Sequence, residues 1–218
     1  MKYKSHGSNY YDEKFNLLVN KNLTYLPYIG TNFLKSTPKI LVVGESHYAD
    51  NENTVELHKD KNLSRAVINS KAKENSNSTF RNFNKAILGN DKSNTSELWD
   101  NLAFFNLIQR PMTTVKHRPI KKDFIEGWQS FFDVIEIIKP DDIIFIGVKA
   151  SNYLRHSVKS SNYKIKSFKK DSKVGRTYPR NVIINNLDRD LNITFIQHSS
   201  KFFSHEKWHK YLTDRGVI

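Results

Sequence analysis

Cysteine is absent from the 218 residues. Its absence excludes disulfides, thiolate zinc sites, cysteine-ligated iron–sulfur clusters and a cysteine nucleophile together. Glycine is scarce, with 8 residues, and none falls in a Walker or dinucleotide-binding loop, which argues against nucleotide-driven chemistry. The histidines lack metal-ligand spacing: His205 and His209 stand four apart on a predicted helix, without the His-Glu-x-x-His order of a zinc site. No metal and no cofactor is therefore expected. Long apolar runs are missing too, none nearing the roughly 20 residues of a membrane span. The polar first eleven residues lack the apolar core of a signal peptide, so a cytoplasmic location is the expectation. Acidic residues are outnumbered, Asp+Glu 22 against Lys+Arg 35, for a formal charge of +13. That excess suits a polyanionic partner, although a solvated basic surface would give the same count.

What is present reads as α/β. Three short continuous apolar runs, 39–44, 142–147 and 192–197, suit strands covered on both faces, and 103–108 is a fourth candidate. Between the fourth candidate and the run at 142–147, Phe124, Trp128, Phe131, Phe132, Ile135 and Ile138 repeat at helical spacing, with Asp123 as the expected N-cap and Pro140 as the stop. Further helices are predicted over 12–19, 63–73, 79–88, 96–101, 149–155 and 204–213. This alternation implies one domain, a three-layer α/β/α sandwich with a central, mostly parallel four-stranded sheet. A polar stretch at about 50–96 reads as a helical insertion. The segment 159–180 interleaves eight Lys and Arg with Tyr163, Phe168 and Tyr178, either a hairpin on the partner's side or a solvated edge.

Open parallel sheets bind ligands beyond the carboxyl ends of their strands. Here those ends run into Gly44-Glu45-Ser46-His47-Tyr48, into Asn106 followed by Gln109-Arg110-Pro111, and into His198-Ser199-Ser200-Lys201. In this order the motifs resemble the uracil-DNA glycosylase superfamily. Its first motif, Gly-Gln-Asp-Pro-Tyr or Gly-Glu-Ala-Pro-Gly, is similar to the Gly44–Tyr48 segment. One branch continues with a strand ending in Asn, an Arg-Pro loop, a long helix ending in Lys-Pro and a strand ending in Gly; this chain has Asn106, Arg110-Pro111 and Arg118-Pro119, Lys139-Pro140 and Gly147. The closing His-Pro-Ser motif is similar to His198-Ser199-Ser200. The departures are as informative: the water-activating Asp of the uracil-specific branch is matched by Ser46 and the following Pro by His47, and an iron–sulfur cluster is excluded.

The resemblance implies a monofunctional glycosylase that turns a uracil, damaged or modified base out of DNA and hydrolyses its bond to the sugar, in repair or in defence against phage. Breaking that bond leaves a cationic sugar and an anionic base, so donors must meet the base and a water must meet the sugar. His198 is the candidate donor, and Glu45, His47 and Asp50 are candidates to hold the water, Glu45 first. Asn106, with Ser46, Tyr48 and Phe105, is expected to bind the base, the amide reading its edge and the ring stacking on it. Arg110, Arg118, Ser200, Lys201 and Phe202 are expected on the DNA, with one of Phe202 and Phe203 wedging into the stack and the other anchoring the loop. The expected partner is single- or double-stranded DNA, met by a monomer. The alternative is a nucleic-acid-binding module that keeps the fold and has lost hydrolysis, as Ser46 in place of the acid would allow.

Overall fold

The computed structural model describes residues 7–19, 21–48, 58–89, 94–112, 114 and 117–218. The strands are β1 (Tyr28–Ile29), β2 (Ile40–Gly44), β3 (Leu102–Asn106), β4 (Asp142–Ile146), β5 (Lys164–Lys170), β6 (Arg180–Asn185) and β7 (Asp190–Ile196). They form one seven-stranded sheet in the order β1-β3-β2-β4-β7-β6-β5. The four runs read from sequence are its contiguous interior, β3-β2-β4-β7, all mutually parallel.

The expected sheet of four strands is thus too small. Antiparallel β1 extends one edge, and the antiparallel hairpin β6-β5 extends the other. β5 escapes the apolar-run criterion because Lys164, Lys166, Lys169 and Lys170 are interleaved with Ile165 and Phe168. It is an edge strand, and its lysines discourage pairing with another chain.

Successive strand residues point to opposite faces. Leu41, Val43, Phe105, Ile143, Phe145 and Phe195 enter one core, while Val42, Phe104, Ile144 and Ile196 enter a second on the other face. The first core is covered by α1 (Asp12–Val19), by the long α5 (Lys121–Ile138) and by α6 (Ser151–Ser157). Trp128 of α5 lies at its centre, 5.1 Å from the Phe145 ring, and its indole N–H donates to the Ala150 carbonyl at 3.0 Å. Asp123 sits in the first turn of α5, accepting from the Ile120 N–H at 2.8 Å, rather than at the N-cap. Gly127 lets α5 cross the chain after β3, since a Cβ there would lie 2.4 Å from the Leu107 carbonyl oxygen.

The second core is covered by α2 (Leu63–Val67) with its π-helical continuation Ile68–Ala72, by α3 (Ser78–Leu88), α4 (Thr95–Asn101) and α7 (His205–Asp214). The polar stretch read as an insertion therefore supplies a helical layer of the domain. Ile68, Ala72, Phe80, Phe83 and Ala86 of this stretch are buried in the second core. No helix among the described residues is long and apolar enough to cross a membrane.

Candidate active site

The carboxyl ends of β3, β2, β4 and β7 lie along one edge of the sheet, where the polar motifs follow. Gly44 pairs with Asn106, so Glu45 begins one strand spacing from that amide and two from β7, about 5 and 10 Å. Asn106 is 4% exposed, and its Oδ1 overhangs Gly44: a Cβ at 44 would lie 2.2 Å from it. Only glycine leaves the amide room to lie across the strand end. Beside it, the buried Ser46 hydroxyl has no hydrogen-bond partner among the described residues. An unengaged hydroxyl beside a strand end suits a ligand that would satisfy it.

Across the edge, Arg118 links two of the predicted residues. Its Nη1 donates to the Tyr48 hydroxyl at 3.1 Å and stands 3.8 Å from Glu45 Oε1. His198 belongs to the same electrostatic neighbourhood. Desolvation holds its pKa below the usual imidazole value; Arg118 acts in the same direction and Glu45 opposes it. The residue is exposed to water yet partly desolvated by its neighbours, and its lowered pKa favours the neutral imidazole at neutral pH. Its Nδ1 lies 2.9 Å from Ser200 Oγ. The loop carrying it is held from α3, where Asn82 Nδ2 donates to the Ser199 and Ser200 carbonyls at 2.9 and 3.2 Å. Asn82 had no signal in the sequence, being one polar residue in a polar stretch.

Other predicted residues are not brought to this edge. Asp50 lies outside the described residues. His47 turns into the second helical layer, 6% exposed, with Nε2 2.9 Å from Ser64 Oγ and its ring edge-on to Tyr25 and His58. Phe105 is fully buried in the first core, because strand alternation points it beneath α5. It offers no face to a base, and Phe104, packed on Phe80 and Trp99, offers none either. Arg110 is spent on a bidentate pair with Asp123, at 2.5 and 2.7 Å, that fixes the start of α5. Phe202 is 58% exposed at φ 66°, whereas Phe203 stacks on Trp208 in the second core, so one of the pair is presented and the other anchors. Lys201 lies beside Phe202, its Nζ 5.0 Å from the ring centroid. No group of three His, Asp or Glu among the described residues could hold a metal ion.

Burial, with His58 and Lys71 nearby, drives the His47 pKa from 6.5 down to about 3. The folded chain thus refuses a proton that the unfolded chain accepts below its ordinary pKa. The stability this histidine allows is complete above that value and is lost as pH falls, at about 1.4 kcal/mol per pH unit. Urea unfolding at pH 7 and pH 5 should show a smaller loss for His47→Gln than for the wild type. Equal losses would mean that the imidazole takes up its proton in the folded state. No protein-family model matches this chain and no curated protein matches it, so the site is read from its own residues.

Proposed function

We propose that the chain is a monofunctional DNA glycosylase of the uracil-DNA glycosylase type, hydrolysing the N-glycosidic bond of a uracil, damaged or modified base turned out of DNA. The observation that carries this reading is the meeting of three groups at one strand edge: the buried amide of Asn106, the carboxylate of Glu45 and the neutral imidazole of His198. The matching fold reading is a uracil-DNA glycosylase-like sandwich whose working sheet is the parallel block β3-β2-β4-β7.

In this mechanism the Asn106 amide, donor and acceptor together, reads the edge of the base. The C–N bond breaks first, its electron pair leaving with the base and an oxocarbenium-like sugar remaining. With His198 Nδ1 accepting from the Ser200 hydroxyl, the neutral ring carries its proton on Nε2 and hydrogen-bonds through it to the anionic oxygen of the base, keeping the proton. Glu45 accepts a proton from water as the hydroxyl joins the sugar carbon, and that proton is then available to the departing base. Arg118, 3.8 Å from the Glu45 carboxylate and donating to the Tyr48 hydroxyl at 3.1 Å, orients both side chains.

The decisive experiment is single-turnover incubation with oligonucleotides carrying varied bases, followed by alkaline cleavage of abasic sites. Strand scission dependent on one base class supports the reading; none across uracil, deaminated, alkylated and hypermodified bases removes it. Affinity for DNA should also fall steeply with salt, by about 0.9 in log K per log salt for each phosphate neutralised on a duplex. A flat response would leave the +13 charge without a role in binding.

A second reading draws on the same ion pair. Arg118 occupies Glu45, and Ser46 stands where the family has its acid, as in a binding module without hydrolysis. That module would bind DNA in the same titration and release no base in the assay.

A further inference from the structure

The loop after His198 and the β5–β6 hairpin together present two exposed aromatic rings, each flanked by cations. Phe202 is 58% exposed and Tyr178 is 46% exposed. The Arg176 guanidinium lies 3.9 Å from the Phe202 centroid, with Lys201 at 5.0 Å on the same ring. Lys170 and Lys173 lie 4.0 and 6.0 Å from the Tyr178 centroid. Lys173, Arg176 and Tyr178 ride on one turn, closed by reciprocal backbone bonds between Val174 and Thr177 and by Asp171 N–H donating to the Pro179 carbonyl. The carboxylate in this turn, Asp171, is already taken by Asn181, Tyr211 and Arg215, so it does not neutralise the cations. Gln197 Nε2 donates to the Phe202 carbonyl at 3.1 Å, which ties the strip to the residue preceding His198.

Cations alone would suit any polyanion, because phosphates look alike on duplex and single strand. Exposed rings discriminate: a duplex keeps its base faces stacked inside, whereas an unpaired strand offers faces and phosphates together. We infer that this strip is a track for single-stranded nucleic acid, bases stacking on Tyr178 and Phe202 while phosphates lie against Lys170, Lys173, Arg176 and Lys201. The inference rests on the proposed function in taking nucleic acid as the partner, and deepens it by naming an unpaired strand beside the base to be removed.

The test is fluorescence anisotropy of the full chain with a short labelled oligothymidylate and a duplex of equal length. Tyr178→Ala should weaken the single strand roughly tenfold and leave the duplex unchanged, while Tyr178→Phe, which keeps the ring, should bind as wild type. Lys170→Gln with Lys173→Gln should lower the single-strand salt slope by about 0.7 for each phosphate no longer neutralised. Unchanged single-strand affinity in Tyr178→Ala overturns the inference, and so does an equal loss on both forms, which would mark a backbone surface for duplex. Thymine here needs no excision, so the outcome is separable from the proposed activity. Absence of base release with an intact track would remove the glycosylase reading alone, and a missing track with normal base release would remove only this inference.

Discussion

On the proposed mechanism, His198→Ala should slow base release by ~10²–10³, about 3–4 kcal/mol, because the missing donor would meet charge that develops only as the bond breaks. Desolvation, assisted by Arg118 and opposed by Glu45, holds the imidazole below its usual pKa and favours the neutral donor. Ground-state binding should hardly change, since the intact base carries little negative charge. The comparison is single-turnover rate against anisotropy affinity for the same oligonucleotide. Asn106→Ala should show the same split and also blur discrimination between bases, and Glu45→Gln tests water activation by removing charge without shape. Wild-type rates in all three variants would disconnect this strand edge from catalysis.

The second large effect concerns folding. Arg65 of α2 is 3% exposed, donating from Nε to the Pro27 carbonyl at 3.1 Å and from both terminal nitrogens to the Asp12 carboxylate of α1. Asp12→Ala would strand a buried guanidinium with one carbonyl partner, and removing one member of such a pair costs about 3–5 kcal/mol. Adding Arg65→Leu should recover much of that loss, because an apolar side chain asks for no partner. Urea unfolding of the single and double variants measures both. A loss below about 1 kcal/mol for Asp12→Ala, the range of exposed pairs, would show that Arg65 reaches water by another route.

How far the sequence foretold this molecule depended on how each element is buried. The inner strands were legible because both faces are covered, which demands continuous apolar residues, and α5 was legible because Phe124 to Ile138 keep one face against the sheet. β5 was legible only as one of two readings of 159–180, a hairpin or a solvated edge, since only part of its length touches the core and lysine fills the rest. At the site, Glu45, Asn106 and His198 followed from a rule about strand ends that needs no side-chain geometry. His47 and Phe105 failed because the same rule does not say which way a side chain turns: one was taken by Ser64 and the other by strand alternation. Arg110 was absorbed by Asp123, a partner thirteen residues away that only the start of α5 brings close.

The two hydrogen bonds from Asn82 to the Ser199 and Ser200 carbonyls join the helical layer to the loop that carries His198. Local opening of α3 and release of that loop are then one event. Amides in α3 and at the His198 loop should share a single opening free energy in hydrogen exchange, and anything that clamps the loop should slow exchange in the helix. A stretch that reads as polar filler thereby sets how often the histidine is in place.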